Sequence, residues 1–206
     1  MILIVDYAAG NLTSVKRALD SLGVTSAITP DPEAVRQAER IIFPGVGHAG
    51  ASMQVLRQRG LDQALLEAYA GGTPILGICV GCQVSLSHSD EGDTDCLDIL
   101  PGNCPRFELK DRSLKIPHMG WNQVRIIRPH PLLRDVAEGD EFYFVHAYYP
   151  APTDPSCVYA ETEYEIVFAS AIGSRNLFAT QFHPEKSGRA GLRVLSNFVT
   201  WDGNPC

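Results

Sequence analysis

No stretch of this 206-residue chain is apolar for long enough to span a bilayer. The N-terminal stretch Met1–Asp6 has no basic segment before its apolar residues and meets a carboxylate at once, so it is expected to be a first strand rather than an export signal. Basic runs are also missing, and the formal net charge is −7. That argues against nucleic acid and anionic membrane surfaces as partners, while leaving small anionic substrates open. The Gly-x-x-x-x-Gly-Lys-Ser/Thr pattern of phosphate loops is absent. The acidic group Asp90, Glu91, Asp93 and Asp95 lacks EF-hand spacing and reads as a solvated loop. No internal repeat or low-complexity segment interrupts the chain, and the whole of 1–206 is expected to form a single domain in the cytoplasm.

Six cysteines are present, and without an export signal they are expected to be reduced. Cys79 and Cys82 form one Cys-x-x-Cys. A redox pair and half a zinc site are the two plain readings of that spacing. No second Cys-x-x-Cys and no histidine pair at ligand spacing supports a metal, and none is expected.

A third reading of Cys79 comes from its neighbours. Pro74–Ile78 is an apolar run of strand length, meeting Gly77-x-Cys79-x-Gly81 and a helix expected over Cys82–Leu86. A nucleophile between two glycines at a strand-to-helix turn is the nucleophile-elbow pattern, here with sulfur in place of the serine oxygen. A helix dipole aimed at the sulfur would favour its thiolate by about 0.3–1 kcal/mol.

The rest of the N-terminal half alternates strands and helices. Strands are expected over 2–6, 25–28 and 40–43, and helices over 12–22, from Asp31-Pro32, over 51–59 and over 61–70. Tyr7–Gly10 reads as a turn, with Asn11 as the helix cap. Alternation of this kind implies a parallel sheet covered on both faces, with ligands at the carboxyl ends of the strands. The glycine-rich loop Pro44–Gly50 lies at such an end; it is either a plain turn or a source of N–H groups for a developing oxyanion. After Ser87 the pattern changes. Residues 88–104 read as loop, followed by short strands over 124–127, 142–145, 158–160, 167–172 and 177–180 and a last helix over 188–201.

Gln181-Phe-His183-Pro-Glu185-Lys186 follows the last of those strands. His183 can serve as base and acid, and Glu185 can hold its other ring nitrogen, which with Cys79 completes a nucleophile, base and orienting carboxylate.

With these residues in view the chain resembles the class I glutamine amidotransferases, which carry their nucleophile in Gly-x-Cys-x-Gly and their histidine and glutamate in His-Pro-Glu. More narrowly it resembles the HisH glutaminase subunits of imidazole glycerol phosphate synthase. The narrower likeness rests on Asp6-Tyr7 with Gly10-Asn11-Leu12, Pro44–Gly47, Pro117-His-Met-Gly-Trp-Asn122, Phe142–His146 and Gln181–Ser187. The resemblance implies a three-layer, flavodoxin-like α/β fold with a mainly parallel sheet and added antiparallel strands. It implies hydrolysis of glutamine by Cys79, His183 and Glu185, with no cofactor. Val80, Gly45 and Val46 would hold the oxyanion, and Gly47 and Gln83 would contact glutamine. Trp121, Tyr143 and Lys186 would face a HisF-type (β/α)8 cyclase partner; composition alone would make them a core Trp, a core Tyr and a solvated Lys. Four features depart from the family pattern: Cys82 for Met, Ala147 for Ser or Thr, Ala8 for Gly, and the segment 88–104. Three other readings stand beside the first. They are a paralogous glutaminase serving a different barrel that aminates a sugar, a non-catalytic subunit on the same fold, and a stand-alone cysteine hydrolase.

Overall fold

The computed structural model describes residues 1–8 and 10–204. Ala9, inside the expected Tyr7–Gly10 turn, and Cys206 lie outside the described residues.

The chain runs β1 (Ile2–Val5), α1 (Leu12–Ser21), β2 (Ser26–Thr29), α2 (Pro32–Arg36), β3 (Arg40–Gly45), α3 (Ala49–Arg59), α4 (Leu61–Ala70), β4 (Ile75–Cys79) and α5 (Val80–Gln83). It continues through β5 (Leu86–Ser89), β6 (Thr94–Asp95), β7 (Leu100–Cys104), β8 (His118–Gln123), β9 (Arg125–Ile126), β10 (Glu141–His146) and β11 (Ala151–Pro152). It ends with β12 (Val158–Tyr164), β13 (Ile166–Ser174), β14 (Leu177–Thr180) and α6 (Gly188–Thr200).

Eight strands form the main sheet in the order β2-β1-β3-β4-β14-β13-β12-β9. The first five are mutually parallel, and the last three add antiparallel. The parallel order is that of the flavodoxin-like doubly wound fold. Right-handed crossovers fix the helices. The chain steps one way from β1 to β2 and back from β2 through β3 to β4, so α1 falls on one face and α2, α3 and α4 on the other. The contacts agree: α1 packs with α6, and α4 with α2 and α3. Burial is complete along β1 and β4, as expected of strands covered on both faces. In α1 Val15 and Leu19, and in α6 Leu195 and Phe198, recur at helical spacing on the buried face. Asp31 caps α2 by accepting the Glu33 N–H at 3.0 Å, with Pro32 in its first turn.

Three expectations need correction. The elbow helix starts at Val80, not Cys82, and has only four residues; Leu86 already belongs to β5. Ser85 ends it, its hydroxyl donating to the Gly81 carbonyl at 2.7 Å while the chain turns into β5. One turn carries little dipole, so helix field does little for the sulfur. Second, 88–104 is not loop: β5, β6 and β7 join β11 in a four-stranded sheet. Its strands are only two to five residues long, too short to show a period-2 signal. Third, β8 was not expected as a strand. It pairs antiparallel with β10 over six positions as a separate ribbon.

Besides His183, three histidines are buried in the second half of the chain. Burial pushes His118 down to about 4, and His130 and His146 down to about 3. Each accepts no proton in the folded state until far below pH 6.5, whereas the unfolded chain protonates near 6.5. Stability is therefore highest above that range and falls as pH drops, by about 1.4 kcal/mol per pH unit for each histidine. His130→Gln keeps an acceptor for the Leu132 N–H, which His130 Nδ1 takes at 3.1 Å. In urea unfolding this variant should lose about 1–2 kcal/mol less stability than the parent between pH 6.5 and 5. Equal losses in the two proteins would contradict the assignment.

Candidate functional site

β3, β4 and β14 run parallel, and their carboxyl ends meet at one place. Gly45 ends β3 directly abreast of Cys79, the last residue of β4. β14 lies on the other side of β4, with Thr180 abreast of Ile78, so the chain leaving β14 carries Gln181 to Cys79. Two residues later comes His183.

Cys79 has φ 55 and ψ −105, a conformation that an L-residue holds only under constraint, at a cost of about 1–3 kcal/mol. The constraint is a close backbone approach. A Cβ on Gly81 would lie 1.9 Å from the Phe43 carbonyl oxygen of β3. With no side chain there, α5 sits down on β3 and the turn tightens until the thiol faces out of the sheet. The thiol is buried and touches the Val145 carbonyl at 4.0 Å and the Gln181 amide nitrogen at 3.7 Å.

His183 Nδ1 lies 2.7 Å from Glu185 Oε1, and both side chains are excluded from solvent. A carboxylate only accepts, so Nδ1 carries a proton toward Glu185. Nε2 is buried and makes no hydrogen bond among the described residues. Burial opposes a charge on His183, but the Cys79 sulfur, followed by Glu185, outweighs it and raises the imidazole to about 10. Cys79, His183 and Glu185 thus lie together in one buried site.

Asn11 is a site residue that local sequence reasoning missed. It stands at the N-cap position of α1, as expected, but in the left-handed region with no capping bond from its side chain. Its Nδ2 donates instead to Glu185 Oε1. The fold brings residues 11 and 185 together through the packing of α1 on the Pro184–Lys186 turn, and no local pattern carries that contact. Ala8, three residues before it, has φ 64, in the region that favours glycine.

The other expected residues also gather here. β3 runs two residues further than expected, to Gly45, because its backbone keeps pairing with β4. Val46 and Gly47 follow, and Gly47 has φ 110, open only to glycine at low cost. His48 accepts the Gly50 N–H at 3.1 Å and Glu91 accepts the Ala49 N–H at 2.7 Å, which fixes the loop's far end. Val80 opens α5, directly after the nucleophile. Gln83 is buried, and its amide nitrogen is engaged by Tyr148 O at 2.9 Å and Gln181 Oε1 at 3.0 Å. Trp121 and Tyr143 are cross-strand neighbours on the β8–β10 ribbon, with ring centroids 6.2 Å apart. The Lys186 ammonium sits 5.7 Å over the Tyr143 ring. Trp121 is 54% exposed and Met119, two residues earlier on the same face, is 63% exposed. These are surface residues, not the core Trp and Tyr that composition alone would give.

Among the described residues no group of three or more His, Cys, Asp or Glu side chains is placed to hold a metal ion. Cys82 is fully buried, and burial followed by the neighbouring Cys79 pushes its thiol up. None of the described residues forms a helix long and apolar enough to cross a membrane.

Residues 3–201 match the family model of glutamine amidotransferase class-I. The chain is 50% identical to the imidazole glycerol phosphate synthase subunit HisH of Nitratidesulfovibrio vulgaris strain DP4, over 96% of this chain and 95% of that one. It is 48% identical to the subunit of that name from Chloroflexus aurantiacus, over 98% and 96%. Among solved structures it is similar to PurLQS from Thermotoga maritima, with a TM-score of 0.74 at 17% identity over 96% of each chain. It is also similar to a crystal structure of a glutamine amidotransferase, with a TM-score of 0.73 at 16% identity over 98% and 100%. The solved structures share the fold at those identities.

If Glu185 holds the imidazolium, Glu185→Gln must lower the His183 titration from about 10 toward the ordinary histidine range. Imidazole chemical shifts followed by NMR across pH 6 to 11 read this directly. An unmoved midpoint would remove Glu185 from that role.

Proposed function

Because this chain belongs to the class I glutamine amidotransferases, and within them to the HisH subunits of imidazole glycerol phosphate synthase, we propose that Cys79, His183 and Glu185 hydrolyse glutamine and that the ammonia passes to a cyclase partner. The observation that carries the reading is the row itself, with a cysteine on a strained elbow, an imidazole whose Nδ1 is held and whose Nε2 is left for the reacting groups, and a buried carboxylate on Nδ1.

The Cys79 thiolate attacks the glutamine carboxamide carbon, and the tetrahedral intermediate carries an oxyanion. The Val80 N–H and an N–H from Gly45 or Val46 hold that oxygen; a donor of this kind is worth about 2.7–4 kcal/mol. Support comes from the register, which sets Gly45 abreast of Cys79. A peptide flip in the Gly45–Gly47 loop turns its N–H inward when the partner signals, and the glycines keep that flip cheap. The His183 imidazolium gives its proton to the departing nitrogen, so ammonia leaves and a γ-glutamyl thioester remains. Neutral His183 then takes a proton from water, the hydroxide adds to the thioester, and glutamate leaves as the thiolate and imidazolium return. General acid–base help of this kind is worth about 10²–10⁴ in rate. Gly47 and Gln83 contact glutamine, Gln83 through its Oε1, because its amide nitrogen is engaged within the protein. The chemistry calls for no metal or organic cofactor.

Free ammonia is protonated in water and lost. A HisF-type (β/α)8 cyclase docked over the site carries it to PRFAR, and the products are imidazole glycerol phosphate and AICAR. Trp121, Tyr143 and Lys186 form the docking patch, with Met119 beside them. The patch is tied to the base through one residue. Tyr143 accepts the His183 N–H on its carbonyl at 2.9 Å and donates its own N–H to Ser187 Oγ at 2.9 Å. Docking at the Tyr143 ring is therefore felt at His183. The work is that of a cytoplasmic biosynthetic enzyme.

Glutamate release from glutamine should be slow for this chain alone and rise strongly with the organism's own cyclase barrel and PRFAR. Cys79→Ala should abolish that release while the complex still makes imidazole glycerol phosphate from added ammonia. High release by the chain alone would make it a stand-alone hydrolase. No rise with this barrel would point to a different barrel partner.

A further inference from the structure

Gln181 is fully buried beside the nucleophile, and its orientation is dictated by a backbone carbonyl two contacts away. The Tyr148 carbonyl can only accept. It takes one N–H of Gln83 Nε2 at 2.9 Å and the Nδ1–H of His146 at 2.7 Å. That fixes the Gln83 amide with its nitrogen inward. The second N–H of the same nitrogen then donates to Gln181 Oε1 at 3.0 Å. With its oxygen occupied, Gln181 must turn Nε2 the other way, and Nε2 lies 3.7 Å from Cys79 Sγ.

The chain of donors extends further back. His146 Nε2 accepts from His118 Nδ1 at 3.1 Å, and His118 Nε2 accepts from Asn122 Nδ2 at 3.3 Å. Neither histidine is exposed, and burial keeps both neutral, so each has one fixed tautomer. No member of the row can reverse its direction without leaving a buried polar atom unpaired.

We infer that Gln181 is a further catalytic residue of the amide hydrolysis: its Nε2–H donates to the Cys79 thiolate and holds the sulfur in its charged, attacking form. This rests on the reading of Cys79 as the nucleophile. The short α5 leaves this task open, because a single helical turn supplies little field. His183 supplies charge from one side; Gln181 supplies a directed N–H from the other. No proton is transferred in this role.

The test reads the sulfur rather than turnover. Iodoacetamide alkylation of Cys79, followed by mass spectrometry of its peptide, is measured from pH 5 to 9 for the parent and for Gln181→Met. On the acid limb the variant should alkylate about tenfold more slowly at the same pH, the size of a charge-assisted hydrogen bond at its weak end. The difference should close on the alkaline plateau. Superimposable profiles would overturn the proposal, and so would a deficit equal at every pH, which marks a packing role. If Gln181→Met fails to fold by circular dichroism, the double variant Gln181→Met/Gln83→Met removes both amides together and is read in the same way. A parent protein that shows the expected alkylation contrast but releases no glutamate in the complex would sink the glutaminase reading and leave the role of Gln181 standing.

Discussion

The close approach of Gly81 to the Phe43 carbonyl is the contact on which the site depends. It seats α5 on β3 and holds Cys79 at φ 55. A turn this tight puts the sulfur at the one point where the ends of β3, β4 and β14 converge. Each neighbouring strand then delivers its own group at no further conformational cost. β3 delivers Gly45, and the chain after β14 delivers Gln181 and His183. The flavodoxin-like strand order makes this possible, because all three strands end on the same side of the sheet. A conformational cost of a few kcal/mol at one residue is offset by a core that runs unbroken from Ile2 to Trp201.

Once the sulfur is placed, the remaining problem is charge in a dry site. The site answers with donors at both ends. Asn11 donates to the carboxylate at one end, and Gln181 donates toward the sulfur at the other. His183 between them carries the proton. Among the described residues Glu185 Oε2 finds no partner, so they hold the carboxylate through Oε1. That concentrates its hold on His183 Nδ1 and on Asn11.

How far this was legible from sequence follows from how local each signal is. The elbow, the caps at Asp31 and Pro32, and the apolar faces of α1 and α6 are set by neighbours within a turn or two, and the structure has them where the spacing puts them. His183 and Glu185 are two residues apart, and their contact is local too. Asn11 was misread because its local role, capping, and its actual one, reaching Glu185, use the same residue type at the same place. Only a contact across 174 residues separates the two. The row from Asn122 to Gln181 has the same character, since its members lie on β8, β10, α5 and the end of β14. The small sheet of β5, β6, β7 and β11 was missed for a different reason. Its strands are short and bury single positions such as Leu86, Leu100 and Cys104, so no alternation is long enough to detect.

The β8–β10 ribbon shows why the Pro-His-Met-Gly-Trp-Asn stretch is built as it is. Side chains alternate across a strand, so one face of β8 carries Met119 and Trp121 and the other carries His118 and Asn122. The outer face is exposed at Met119 and Trp121. The inner face is a polar row packed in aromatic rings, with His118 stacked on Tyr164 at 4.0 Å and on Phe144 at 4.9 Å. β10 repeats the division, with Tyr143 outward and Phe144 and His146 inward. The ribbon belongs to neither larger sheet. It is held to the rest by its packed side chains and by the bonds of Tyr143 to His183 and Ser187. The ribbon meets the site at two places, the Tyr143 backbone at His183 and the histidine row, through Tyr148 and Gln83, at Gln181.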